Sequence, residues 1–120
     1  MRSFTGFLNH PSYPWGYENN VDTCWLIVAP QKYQLNITFQ YFKLESSENC
    51  ENDFVTVTDG WSRHDPVLKK LCGELDYKAY VTSSKSKVLV RFKTNKDITN
   101  YGFIASYQRV TKTGILLIFK

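Results

Sequence analysis

Residues 43–60 read KLESSENCENDFVTVTDG, and the reading of this stretch decides the fold. Residues 53–58 alternate polar and apolar side chains ahead of Asp59-Gly60, which is the pattern of a half-buried strand ending in a turn. Leu44 and Phe54 are expected to anchor a core, with Cys50 between them as one end of a cross-link. Glu45 and Asp53 place carboxylates on either side of that cysteine. An acidic loop, pinned and feeding a core strand, is suited to holding a cation or a basic side chain.

Upstream, residues 33–42 alternate cleanly, with Tyr33, Leu35, Ile37, Phe39 and Tyr41 on one face and Gln34, Asn36, Thr38 and Gln40 on the other. Residues 24–29, CWLIVA, form an apolar strand stopped by Pro30, and residues 18–23 read as a polar loop before it. Gly6, Pro11, Pro14 and Gly16 make residues 4–17 an edge strand followed by an irregular extended passage. Downstream, residues 61–66 are a polar turn and residues 67–72 a short strand closed by Gly73. Residues 74–87 are polar, apart from a short piece at 79–82 and a turn at 83–86. Val88, Val90 and Phe92 mark one further strand, and GFIASY at 102–107 another, with Phe103, Ala105 and Tyr107 inward. Residues 94–101 form a second polar loop. No segment has a helical period, so six or more short strands with turns between them predict an all-β, two-sheet antiparallel sandwich. Residues 110–120, VTKTGILLIFK, are a tail that is either one more strand or a splice-derived or read-through end. An uncovered ILLIF strand is an aggregation hazard.

A length of 120 residues sets one domain, and 42 % hydrophobic residues are enough for its core. The net charge of +4 comes from scattered lysines rather than a dense run, which argues against nucleic acid. No apolar run reaches the ~18 residues of a membrane span. Met1-Arg2-Ser3 is not followed by a signal-peptide core, so a leader was removed or the chain was cut from a longer precursor. Three cysteines are an odd number. Pairing Cys50 with Cys72 would stabilise the fold by roughly 3 kcal/mol and leave Cys24 over, whereas the other reading keeps all three reduced and buried. Asn36-Ile37-Thr38 is a glycosylation sequon with Asn36 outward. Trp15 and Trp61 fall in loops, where a tryptophan either anchors an interface or, more often, packs under its own loop. His10 and His64 sit beside a proline or a turn, and no nucleophile elbow, zinc-binding helix or phosphate loop is present, so the chain reads as no enzyme.

Taken in order, these motifs resemble those of the CUB domain, the extracellular module of complement and tolloid proteases, neuropilins, cubilin and spermadhesins. Residues 6–14, GFLNHPSYP, are similar to the family's opening G-x-hydrophobic-x-S-P-x-Y-P, with His10 in place of serine and Tyr17 at the usual distance. Cys24-Trp25-Leu26-Ile27 is similar to its C-x-W-x-I region, with the tryptophan here next to the cysteine. Phe42-Lys43-Leu44-Glu45, then Cys50-Glu51-Asn52-Asp53-Phe54-Val55, resembles F-x-L-E…C-x-x-D-Y-hydrophobic. Asp59-Gly60, Leu71-Cys72-Gly73, Phe92 and Gly102-Phe103 complete the set, and the resemblance covers residues 4–109.

The resemblance implies a jelly-roll-type sandwich with a Cys50–Cys72 disulfide. It also implies that the partner of Cys24 lies upstream of the first residue, so the domain is expected to be N-terminally truncated and Cys24 a free thiol. Many members bind one calcium ion at one end of the sandwich. The matching positions are Glu45, Asp53 and Asn95, with Tyr17 supporting the first. The third position is an amide here, and Asp97, two residues on, is expected to restore the lost charge. Amide oxygens are acceptable to calcium, which takes about six to eight oxygen ligands. In calcium-binding members the same corner takes up a lysine or arginine of a partner protein, so Tyr17, Glu45, Asp53 and Asn95 form the expected partner site. The expected function is a secreted or extracellular, non-catalytic recognition module. The alternatives are a spermadhesin-like glycan- or heparin-binding module, suggested by the positive charge, or a fragment of a multidomain protease or endocytic receptor.

Overall fold

The computed structural model describes residues 5–9, 16, 19–62, 64–75, 78–95 and 102–111. Among the described residues nine strands follow one another: β1 (Thr5–Asn9), β2 (Asp22–Val28), β3 (Tyr33–Lys43), β4 (Phe54–Asp59), β5 (Val67–Leu71), β6 (Glu74–Leu75), β7 (Ala79–Thr82), β8 (Lys87–Lys93) and β9 (Gly102–Thr111). One sheet has the order β1-β9-β3-β6, with β7 also on β3, and the other has the order β2-β8-β4-β5. Every strand pairing is antiparallel. The only helical turn among the described residues is a short 3-10 piece at Glu48–Cys50.

The two sheets bury their facing residues against each other. Leu35, Ile37, Phe39, Phe42, Phe103, Ala105 and Tyr107 come from one sheet, and Ile27, Val55, Val57, Val88, Val90 and Phe92 from the other. Phe103 is the aromatic hub. Its ring centroid lies 5.2 Å from Phe92 and 5.9 Å from Trp25 across the sandwich, and 6.1 and 6.2 Å from Phe39 and Phe42 on its own side. The contacts with Phe92 and Trp25 are edge-on and add to the area that the rings bury.

Three details differ from the alternation in the sequence. The β3–β9 register shifts between Phe39 and Tyr41, so Phe42 turns inward and Tyr41, expected inside, is exposed. A bulge inserts one residue and resets the period of two. Phe54, expected in the core, lies on the outer face of β4, because Val55 pairs with buried Phe92 and the residue before it must point the other way. Lys70 Nζ sits 4.4 Å from the Phe54 ring centroid. Strand β2 begins at Asp22, inside the expected loop, because Asp22 and Thr23 continue the ladder to Lys93 and Phe92.

At the other chain end β9 continues to Thr111, and Val110, read as the start of the tail, is buried in it. Residues 112–120, with the ILLIF run, lie outside the described residues. No helix among the described residues is long and apolar enough to cross a membrane.

Candidate functional site

The acidic corner is built where β3 ends, β4 begins and β8 ends. Leu44 is fully buried and fixes the chain just before Glu45. The Leu44 N–H donates to the Gly73 carbonyl at 2.9 Å, and the Gly73 N–H donates back to the Glu45 carbonyl at 3.3 Å. Gly73 has φ +73°, and a Cβ there would stand 3.0 Å from Ser46 Oγ, so glycine suits both the conformation and the approach. The next residue back, Cys72, is joined to Cys50. Asn49 and Cys50 both have left-handed backbone angles, which turn the loop tightly enough to return to β4. Ser47 closes the turn, its carbonyl accepting the Cys50 N–H and its Oγ the Asn52 N–H.

The loop delivers two carboxylates. Glu45 Oε2 accepts the Asn52 side-chain amide at 2.9 Å. Asp53 has no solvent exposure, and its Oδ1 accepts the Asn95 N–H at 2.8 Å. That backbone donor offsets part of the cost of burying a carboxylate. Asn95 is itself held, since its carbonyl accepts the Asn20 N–H at 2.8 Å. Thr94 pairs in both directions with Val21, through Thr94 Oγ1 and the backbone. Hydrogen bonds thus join Glu45 to Asn52, and Asp53, the next residue in the chain, through Asn95 to Asn20. Asp53 and Asn95, distant in sequence, meet at one end of the sandwich, and Glu45 is tied to the loop before Asp53 through the Asn52 side chain. Tyr17 and Asp97 lie outside the described residues. No three His, Cys, Asp or Glu side chains cluster as a metal site among the described residues. The donors present are oxygens, two of them carboxylates, which is the chemistry of a hard cation such as calcium. Asn52, Thr94 and Asn20 escaped the sequence reading. The position of Asn52 between Cys50 and Asp53 was a signal for it, whereas the other two act through backbone or hydroxyl contacts that leave no pattern.

The remaining candidates are dispersed. Asn36 lies on the outward side of β3, within bonding distance of Thr82 Oγ1. Cys24 is a free, exposed thiol on β2, so the reading with three reduced cysteines gives way to one disulfide and one thiol. Burial of the side chain, then the nearby Asp22 charge, raises its pKa. Trp61 is 59 % exposed rather than packed under its loop, and Lys87 Nζ sits 3.8 Å from its ring centroid. His64 is exposed in a turn, while Trp15 and His10 lie outside the described residues. Asp59, expected in a turn, is buried at the end of β4, where it accepts hydrogen bonds from the Ser84 backbone and hydroxyl.

The family profile of the CUB domain matches residues 1–107. The chain belongs to the CUB domain family. Cubilin of Rattus norvegicus is 35 % identical over 98 residues, which are 82 % of this chain and 3 % of cubilin. The CUB1-EGF-CUB2 domain of human MASP-1/3 superposes with a TM-score of 0.83 at 28 % identity, covering 91 % of this chain and 42 % of that one. The MASP-1 CUB2 domain bound to Ca2+ has a TM-score of 0.78 at 20 % identity, covering 90 % of this chain and 95 % of that one, and so shares the fold. The chain spans 3 % and 16 % of the length of the first two curated relatives it matches. The CUB domain is a non-catalytic interaction module of multidomain secreted and extracellular proteins, and the expected sandwich and function stand.

Proposed function

We propose that this CUB domain binds an extracellular protein through the end of the sandwich that carries Glu45, Asp53 and Asn95, with one calcium ion in that corner. The observation that carries the reading is the fully buried Asp53 carboxylate, aimed at the Asn95 backbone and joined to Glu45 through Asn52. Glu45, Asp53 and the Asn95 side-chain oxygen would hold the ion, with Asp97 adding a carboxylate and Tyr17 supporting Glu45. Bound calcium would supply the positive charge that lets carboxylates gather in one corner. The corner, with Glu45 as its less buried carboxylate, then takes up a lysine or arginine of the partner. A domain of the same fold that carries calcium supports the choice of ion. The domain serves within a larger protein, and a glycan on Asn36 would cover the outer face of the sheet containing β3, away from this corner.

Calorimetric titration of calcium into the folded domain tests the reading. One site is expected in the wild type, abolished by Asp53→Ala and weakened by Asp97→Asn. No binding at millimolar calcium, or equal binding to the Ala variant, overturns it.

A further inference from the structure

We propose that strand β5 is a docking edge, to which an extended acidic segment of a partner protein adds as a further strand. β5 ends the order β2-β8-β4-β5, so among the described residues no strand pairs with its outer side. A strand so placed presents a row of backbone N–H and C=O groups and is a template for another chain. Its residues read Val-Leu-Lys-Lys-Leu, and the register fixes where they point. Lys70 lies opposite Thr56, and Lys69 opposite Val57, which is fully buried between the sheets. The two exposed lysines therefore flank the edge, Lys70 on the outer face and Lys69 on the inner. Pairing with β4 is regular from Lys69 to Leu71 and shifts only beyond it, so both lysines stand in the regular part.

The outer face beside the edge carries the same sign. On β8 the fully buried residues are Val88, Val90 and Phe92, so Lys87, Leu89, Arg91 and Lys93 form an outward row. Asp22 is the one acid that the four strands place on this face, bonded to Arg91 at 2.7 and 2.9 Å. A field of this sign draws an acidic segment to the edge and repels a basic one. The same charges disfavour a second copy, because in the fully overlapped antiparallel pairing of two β5 strands Lys69 faces Lys69. Next to the edge, Phe54, Val67 and Leu89 line a shallow groove of about 400 Å³ with Lys70 and Arg91. Val67 is 57 % exposed, so an aliphatic side chain of the added strand has apolar surface to cover. Lys70 rests over the Phe54 ring, which holds its ammonium group in place before a partner arrives. In strand addition the backbone supplies affinity and the side chains set the choice. An antiparallel added strand meets Lys70 and Lys69 first, then Leu68 and Val67. The fitting segment is therefore two consecutive acidic residues followed by aliphatic ones, a chemistry opposite to that of the basic side chain taken by the acidic corner.

The test uses the intact domain in EDTA and a capped probe peptide, Thr-Thr-Glu-Glu-Val-Val-Thr-Thr, titrated by amide NMR. The β5 amides should shift and exchange more slowly with solvent as the peptide is added. A peptide with Lys-Lys in place of Glu-Glu, standing in for a second basic strand, should not bind. The acidic peptide N-methylated throughout, which has no N–H to donate, should not bind either. Lys69→Gln and Lys70→Gln should each weaken binding about two- to fivefold. Lys69→Glu/Lys70→Glu should reverse the preference and take the Lys-Lys peptide instead. Asp53→Ala should bind the acidic peptide as the wild type does, which separates this edge from the acidic corner. No shift of the β5 amides at millimolar peptide, equal binding of the methylated peptide, or a preference that survives charge reversal would each overturn the proposal.

Discussion

Asp53→Ala removes the most deeply buried charge of the candidate site, and its cost can be worked from the geometry. Asp53 is fully buried, and its Oδ1 accepts the Asn95 N–H at 2.8 Å. A bond to an ionised acceptor contributes about 1.5–3 kcal/mol, so the loss without calcium is taken as about 2–3 kcal/mol. The unfolding entropy of a chain of 120 residues is about 0.25 kcal/mol/K, so Tm in EDTA should fall by about 8–12 °C. Asp53→Asn keeps an oxygen for the Asn95 N–H and drops the charge, so it should fall about half as far. Calcium at tenfold over its Kd stabilises the native state by about 1.4 kcal/mol, or about 6 °C. That rise should appear in the wild type and vanish in both variants. Differential scanning calorimetry in EDTA and in calcium separates the two effects. A Tm for Asp53→Ala within 2 °C of wild type in EDTA, on a scale of about 4 °C per kcal/mol, would refute the structural role given to the bond. A calcium-dependent rise that survives in the Ala variant would refute Asp53 as a ligand.

Phe103→Ala empties the centre of the aromatic cluster and should cost about 3–5 kcal/mol, or roughly 12–20 °C in Tm by calorimetry. Replacing Cys50 and Cys72 together by serine should cost about 3 kcal/mol in urea unfolding, from the freed chain entropy of the denatured state. Thiol titration of the native protein should give one accessible group, Cys24, alkylated more slowly at neutral pH than free cysteine and faster after Asp22→Asn, since burial and the Asp22 charge raise its pKa. Asp22 has a lowered pKa, chiefly from its hydrogen bonds to Arg91, so the pair stabilises the fold above the unfolded aspartate value of about 3.9 and ceases to do so as pH falls through the lower folded value. Both side chains are partly exposed, so the gap between wild type and Arg91→Gln in urea unfolding should be no more than about 1 kcal/mol at pH 6 and should close as pH falls through the lowered Asp22 value.

Where alternation runs unbroken, the sequence and the structure agree. Val88, Val90 and Phe92 are all buried, as are Phe103, Ala105 and Tyr107, and the short piece at residues 79–82 is β7. The errors fall where a single residue changes the phase. Nothing in FQYF announces the bulge that exposes Tyr41, because an inserted residue shows only against its partner strand. Phe54 misled for a related reason. Its size suggests a core position, but its face is set by the Val55–Phe92 pairing, which is a long-range fact. In the candidate site Glu45 and Asp53 were legible as an acidic loop around Cys50. The contribution of Asn95 was only partly so, because its backbone N–H, which any residue but proline would offer, makes the bond to Asp53. The outward row on β8 was hidden for the opposite reason. Scattered lysines look unremarkable until alternation and register put Lys70, Lys87 and Lys93 on one face.

The acidic corner draws its rigidity from the core directly beneath it. Each residue that carries its chemistry follows or sits among buried neighbours: Glu45 comes after Leu44, Asn95 after Thr94, and Asp53 lies two residues before Val55, with all three neighbours buried. Phe42 and Phe92, two and three residues before Leu44 and Asn95 respectively, both pack on Phe103. The strands that end at the site are therefore clamped together by one ring within a turn of chain from its carboxylates. A loop ordered in this way loses little conformational freedom when a cation or a basic side chain arrives, so more of the contact energy appears as affinity. It follows that loosening the hub should weaken binding at the corner even in a domain that remains folded. The basic face, carried on side chains of paired strands, should feel the same change less.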